Sequence, residues 1–214
     1  MASLSPNTDR IARPRAGRPP DLEKRAAILD AGRRVFLRDG YAASMDRIAE
    51  EAGVSKQTIY KHFSAKEQLF MEIVRARADL LTAPLCNNPT DAPPEAVLRQ
   101  FALSFLDLLQ MPDYGCLLRV VAGAAPQFPK LAHDFFEVGP RLAVQRLADY
   151  LAAQDTAGRL RIPDPPVAAE QFLSLVSGQC QLRAMLGIPP RLEGGSLEAR
   201  VDSAVRIFMS AYRT

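Results

Sequence analysis

Ala49, Gly53 and Ile59 stand at offsets of zero, four and ten, a spacing that suits two short helices crossing at a steep angle. A small residue sits where they touch, a residue tolerant of positive φ makes the turn, and an apolar side chain anchors the second helix. The arrangement is a helix-turn-helix, whose second helix enters the major groove. With Ile59 and Phe63 pointing inward, Lys56, Gln57, Thr58, Tyr60 and Lys61 fall on or near its outer faces. Lys56 suits guanine O6/N7, Gln57 suits adenine N6/N7, Thr58 suits a thymine methyl, and Lys61 joins them as a base-contact candidate. Ser44, at the start of the first of these two helices, offers a hydroxyl and backbone amides to a phosphate.

The elements that must position this face follow from apolar periodicity and caps. Asp21 is a candidate N-cap for a first helix with Ile28, Ala31, Val35 and Phe36 on one stripe, stopped by Gly40, with Tyr41 able to pack back on it. Ser44 caps a second helix whose inward face is Met45, Ile48, Ala49 and Ala52, and Ser55 caps the third. Ser64 and Glu67 read as a capping box opening a long helix to about Leu81, with Leu69, Phe70, Ile73 and Val74 buried. No proline lies between Asp21 and Ala83, so four helices fit that window.

Residues 82–94, TAPLCNNPTDAPP, read as a linker and a domain boundary. Further helical patterns run from Glu95 to Gln110, Tyr114 to Ala125, Lys130 to Ala153, Pro166 to Leu186 and Ser196 to Tyr212. Strand alternation is nowhere sustained. The predicted fold is all-α: a basic arm over 1–20, a three-helix domain over 21–66, a connecting helix over 67–81, and a helical bundle over 95–214.

Charge supports an anionic partner for the N-terminal third. Residues 1–80 hold 15 Lys/Arg against 11 Asp/Glu, whereas residues 81–214 hold 12 against 13. In the arm, Arg15 and Arg18 flank Gly17, and Gly17-Arg18-Pro19 resembles the core of a minor-groove hook. Cys86, Cys116 and Cys180 are odd in number and widely spaced, unlike a disulfide framework or a metal site. With His62 and His133 the only histidines, no metal or cofactor is expected. No secretory core or run of 18 apolar residues occurs, so the expectation is a cytoplasmic chain without a membrane partner. There is no G-x-G-x-x-G, P-loop or G-x-S-x-G, which leaves an enzyme without support and no catalytic residue to name.

Residues 21–74, above all Gly40-Tyr41, Ile48-Ala49, Ala52-Gly53-Val54-Ser55, Ile59-Tyr60, His62-Phe63 and Lys66-Glu67-Gln68-Leu69, resemble the DNA-binding domain of the TetR/AcrR family of transcriptional repressors. FPKLAHDFFEVGP, AAEQFLSLVSG and the final amphipathic helix are similar to the regulatory domain of its AefR-like branch. The resemblance implies a homodimer on a palindromic operator, released when a small, largely apolar effector enters the C-terminal domain. It also places Tyr60, His62 and Lys66 at phosphates, for which a phenol, an imidazole and an ammonium are suitable donors.

In the C-terminal domain Phe101 and Phe105 belong to a stripe that reads as core first and pocket second. Together with Phe128, Phe136 and Phe172, and with Gln179 and Arg183 as polar groups, they are the candidate pocket. The last two helices are more apolar than one flank of a bundle needs. Leu182, Met185, Val201, Val205 and Phe208 are therefore candidates for a dimer interface. Two alternatives stay open: a structural DNA-binding protein without ligand control, and a redox-responsive regulator using Cys116 and Cys180.

Overall fold

The computed structural model of the chain describes residues 20–87, 92–188 and 195–213. The arm residues Arg15 and Arg18 lie outside the described residues. The helices are α1 (Pro20–Asp39), α2 (Met45–Glu51), α3 (Lys56–His62), α4 (Lys66–Asn87), α5 (Pro94–Gln110) and α6 (Pro112–Ala124). There follow α7 (Pro129–Phe136), α8 (Leu142–Thr156), α9 (Pro165–Ser177), α10 (Cys180–Met185) and α11 (Leu197–Tyr212). Among the described residues there is no strand, only an isolated bridge between Leu160 and Arg213, so the fold is all-α as expected.

The N-terminal helices form where their caps and stripes place them. Pro20, not Asp21, opens α1: its missing N–H is not needed in the first turn, and Asp21 and Glu23 then put negative charge at the positive end of the helix. The Gly40 N–H closes α1 on the Phe36 carbonyl at 3.0 Å, and Tyr41 stacks back on Phe36 with ring centroids 6.0 Å apart. Ser44 and Ser55 cap α2 and α3, each accepting at 3.2 Å from the N–H three residues on. The Ser64–Glu67 box does not form. Gln68 Oε1 instead accepts from the Ser64 N–H at 2.8 Å and its hydroxyl at 2.9 Å, while Glu67 accepts from the Tyr41 hydroxyl at 2.9 Å.

Three boundaries differ from expectation, each for a tertiary reason. Helix α4 runs through Pro84 to Asn87, so residues 82–87 of the expected linker are helical. Leu81 and Leu85 are buried there, and the buried Thr82 hydroxyl donates to the Ala78 carbonyl at 2.8 Å and accepts from Arg146 of α8 at 2.6 Å. The expected helix 130–153 divides around a π-helical turn, Glu137–Arg141, because Pro140 has no N–H to give an α-helical bond. The expected helix 166–186 divides at Gly178, whose φ of +49° requires glycine. Arg200 of α11 donates from Nε to the Val176 carbonyl at 2.8 Å, and its guanidinium fills the space that a Cβ at Gly178 would need.

Two apolar cores share α4. One joins Ile28, Phe36, Ile48, Ile59, Phe63, Leu69, Phe70 and Val74 to Val121, Leu131 and Phe135 of α6 and α7. The other begins at Leu81 and takes in Phe101, Leu106, Leu147, Phe172, Val201 and Phe208. The change of core thus falls inside α4, between Val74 and Leu81, and not in the 82–94 segment. Helix α4 therefore has one end in each core.

Candidate nucleic-acid interface and adjoining cavity

The helix-turn-helix junction has the three features its spacing demanded. Ala49 is buried where α2 meets α3, Gly53 turns the chain at φ +66°, and Ile59 is wholly buried. The Val54 N–H closes on the Ala49 carbonyl at 3.0 Å, which fixes how α3 leaves α2. Phe63 completes the anchor, and Arg25 of α1 lies over its ring at 5.3 Å while pairing with Glu72 of α4 at 2.9 Å. That clamp across three helices carried no signal in the linear sequence.

On the outer face the structure brings together Lys56, Gln57, Tyr60 and Lys61, all exposed, with Ser44 nearby at the α2 terminus. Tyr60 is 45% exposed despite its large ring. Lys56 Nζ lies 2.8 Å from Asp46 Oδ2, and that carboxylate raises the ammonium above its ordinary pKa. Thr58 is half-buried and its hydroxyl shares a 2.8 Å hydrogen bond with the Ser55 cap.

Two expected phosphate ligands face elsewhere. The His62 side chain is 8% exposed, with Nε2 3.2 Å from Asp21 Oδ1 in the first turn of α1. Lys66 donates from Nζ to the Tyr41 carbonyl at 2.7 Å and sits 4.5 Å above the Tyr41 ring. His62 ends α3 and Lys66 opens α4, where the chain bends inward between the two helices, and their side chains reach back to α1 and to the turn that follows it.

A chain of ion pairs runs along α1 from the C-terminal helices to α2. Asp113 at the start of α6 pairs with Arg33; Arg33 reaches Asp30 at 3.3 Å; Asp30 pairs with Arg34; and Arg34 reaches Glu51 of α2 at 3.2 Å. Arg38 also reaches Glu51, at 3.3 Å, and the two arginines hold this carboxylate below its ordinary range.

Asp113 and Arg33 border a cavity of about 730 Å³ that follows α4 between the two cores. Its walls are mainly apolar, among them Leu29, Phe36, Phe70, Ile73, Phe105, Leu117 and Phe135, with Tyr114, Ser177 and Gln181 as polar groups. Burial pushes the Tyr114 phenol up, partly offset by a hydrogen bond with Gln181.

Of the expected pocket residues only Phe105 borders this space. Phe101 and Phe172 stack on one another inside the C-terminal core, ring centroids 6.4 Å apart. Phe128 packs at 5.6 Å on Tyr41 instead, and Phe136 is exposed. Gln179 falls at the break between α9 and α10, and neither it nor Arg183 borders the cavity. Gln181, two residues on, takes the polar role. The missed signal lay in α1 and α4, read as a DNA-domain stripe and a connector although they supply one wall.

The expected dimer residues also divide. Leu182 and Met185 are exposed, whereas Val201, Val205 and Phe208 are buried in the protomer's own core. Leu175, Leu182, Met185, Leu186 and Ile207 are exposed, and of these Leu175 and Ile207 line a groove between α9 and α11. Among the described residues no helix is long and apolar enough to cross a membrane.

Comparison with known proteins agrees with this architecture. Residues 28–73 match the sequence model of bacterial regulatory proteins of the tetR family, and residues 96–214 match that of the AefR-like transcriptional repressor C-terminal domain. The regulator RutR of Escherichia coli K12 is 34% identical over 146 residues, which cover 66% of either chain. A solved structure of a protein assigned to the TetR family from Mesorhizobium loti MAFF303099 superposes with a TM-score of 0.77 at 27% identity, covering 92% of this chain and 100% of that one. The flavonoid-responsive regulator FrrA superposes with a TM-score of 0.69 at 34% identity, covering 89% and 97%. The matches span from about a third to two thirds of the length of the first of these curated relatives, and 93% of the repressor Rv1474c of Mycobacterium tuberculosis.

Proposed function

Because the chain belongs to the TetR family of transcriptional regulators, we propose that it is a cytoplasmic, ligand-responsive repressor that binds a palindromic operator as a homodimer. The observation that carries this reading is the outward face of α3, where Lys56, Gln57, Tyr60 and Lys61 stand exposed on a helix fixed by Ala49, Gly53 and Ile59. Lys56, Gln57, Thr58 and Lys61 read bases, Ser44 and Tyr60 hold phosphates, and Arg15 and Arg18 track the adjacent minor groove. His62 and Lys66 act instead through the helices they join.

Two features support control by a small molecule. The cavity is of the size that takes such ligands, and FrrA, of similar fold, is named as flavonoid-responsive. The cavity touches α1, α4 and α6 at once. A ligand that favours a different α4 position therefore changes the spacing of the two recognition helices in the dimer. Coupling of this kind is typically about 1 to 3 kcal/mol.

Selection of randomised duplex DNA by the full chain at near-physiological salt tests the reading. The expected result is an enriched palindrome with half-sites about one helical turn or a little more apart. Salt-sensitive binding without any enriched motif would replace it with a structural DNA-binding role.

A further inference from the structure

Charge around the cavity is unevenly compensated. On the side formed by α1, Arg33 is paired with Asp113 and Asp30, and Arg77 of α4 borders the same space. Among the described residues no carboxylate lies within ion-pair distance of Arg77; its guanidinium donates to the Met111 thioether, a weak acceptor. Arg77 is half-buried, so water meets its charge incompletely. Glu170 of α9 borders both the cavity and the groove between α9 and α11, and it has no cationic partner among the described residues. Between these charges the walls are apolar.

We propose that the cavity takes an amphipathic anion, whose carboxylate-like head is held by Arg77 and shared with Arg33 while its apolar body lies along α4. A planar guanidinium matches a carboxylate through two parallel N–H donors, a geometry that a thioether cannot satisfy. Glu170 repels the head from the α9 wall and so sets the orientation of the ligand. At Arg33 the head competes with Asp113, the residue through which α6 holds α1. The same group that supplies affinity therefore loosens the tie between the C-terminal helices and the DNA-binding helices. This inference rests on the ligand-responsive reading and names the class of ligand.

The test uses the full chain without DNA. The neutral fluorophore N-phenyl-1-naphthylamine is bound, then displaced by dodecanoate, dodecan-1-ol or dodecyltrimethylammonium, which share one alkyl chain and differ in head. Dodecanoate is expected to displace at a concentration lower by about tenfold than the alcohol, with the cation weakest. Arg77→Gln is expected to bring dodecanoate and the alcohol to the same midpoint, and Asp113→Asn to strengthen dodecanoate by freeing Arg33. Equal midpoints in the unsubstituted protein, a stronger cation, or a preference that survives Arg77→Gln would overturn the proposal while leaving a ligand cavity in place. If the fluorophore itself does not bind, the ligand-responsive reading fails and this inference fails with it. The ranking of the three heads needs no variant and stands whether or not Arg77→Gln folds.

Discussion

Lys66 Nζ lies 2.7 Å from the Tyr41 carbonyl oxygen and 4.5 Å above the Tyr41 ring, so the first residue of α4 holds the turn between α1 and α2. Removing that ammonium leaves a half-buried carbonyl without its charged donor. Lys66→Met is expected to lower folding stability by about 1 to 3 kcal/mol in denaturant titration. If Lys66 instead neutralised a phosphate, its loss would reduce the salt slope of DNA binding by about one unit. An unchanged slope with reduced stability is the outcome the geometry requires.

The roles proposed for the outer face of α3 separate reading from holding. Gln57→Ala should relax preference at one base position by about 1 to 3 kcal/mol, because a bidentate amide contact is lost only with the right base. Tyr60→Phe should weaken binding to operator and random duplex alike. Asp46→Asn is a useful opposite: it releases Lys56 from its 2.8 Å ion pair and removes a negative charge from the interface. Tighter binding to all duplexes, with a steeper salt dependence, is expected. Equal losses for Gln57→Ala on operator and random DNA would remove the division between these residues.

Glu67, in the first turn of α4, makes part of the stability pH-dependent. Glu67 is held below its ordinary carboxylate range, first by its own backbone N–H at the start of α4 and then by the Tyr41 hydroxyl. The fold therefore favours the charged form. Its contribution is present above the ordinary carboxylate pKa and is lost as pH falls through that value to the depressed one in the folded chain. The stability difference between the unsubstituted chain and Glu67→Gln should be constant near neutrality and shrink as pH falls through and below the ordinary carboxylate pKa of about 4.3. A difference that stays flat as the carboxylates protonate would mean that Glu67 titrates alike in the folded and unfolded chain.

The DNA-binding helices were legible in the sequence because their determinants are local. Gly40, Ser44, Gly53 and Ser55 each act within four residues of the bond they govern, and the stripe through Ile28, Val35 and Phe36 has one inward face to occupy. The C-terminal breaks were not legible, because their causes are distant in sequence. Gly178 interrupts α9 where Arg200, from the next long helix, takes the freed carbonyl, and Pro84 is tolerated in α4 because Thr82, Arg146 and Asp79 fasten that turn to α8. The cavity was missed for a related reason. Aromatic residues in a stripe do not disclose which of them meet one another, and Phe101, Phe172 and Phe208 meet inside the core.

The same ambiguity in α11 gives a test of the dimer surface. Val201, Val205 and Phe208 follow the helical period and face the protomer's own core, while Ile207, one position from Phe208 and 50% exposed, lies beside the groove against α9. The buried face of α11 and the exposed Ile207 beside the groove support two different associations, and substitution at each separates them. Phe208→Ala should cost about 3 to 5 kcal/mol of folding stability, as expected for truncating a fully buried aromatic side chain. Ile207→Glu adds a charge to an exposed site, so the protomer should keep its fold and melting behaviour. In a two-fold assembly the same charge appears on both copies of the interface, so sedimentation should shift from dimer to monomer. Operator affinity should fall with it, because half-sites then bind singly. An unshifted dimer in Ile207→Glu would move the interface off the α9–α11 face and leave its exposed apolar residues to another partner.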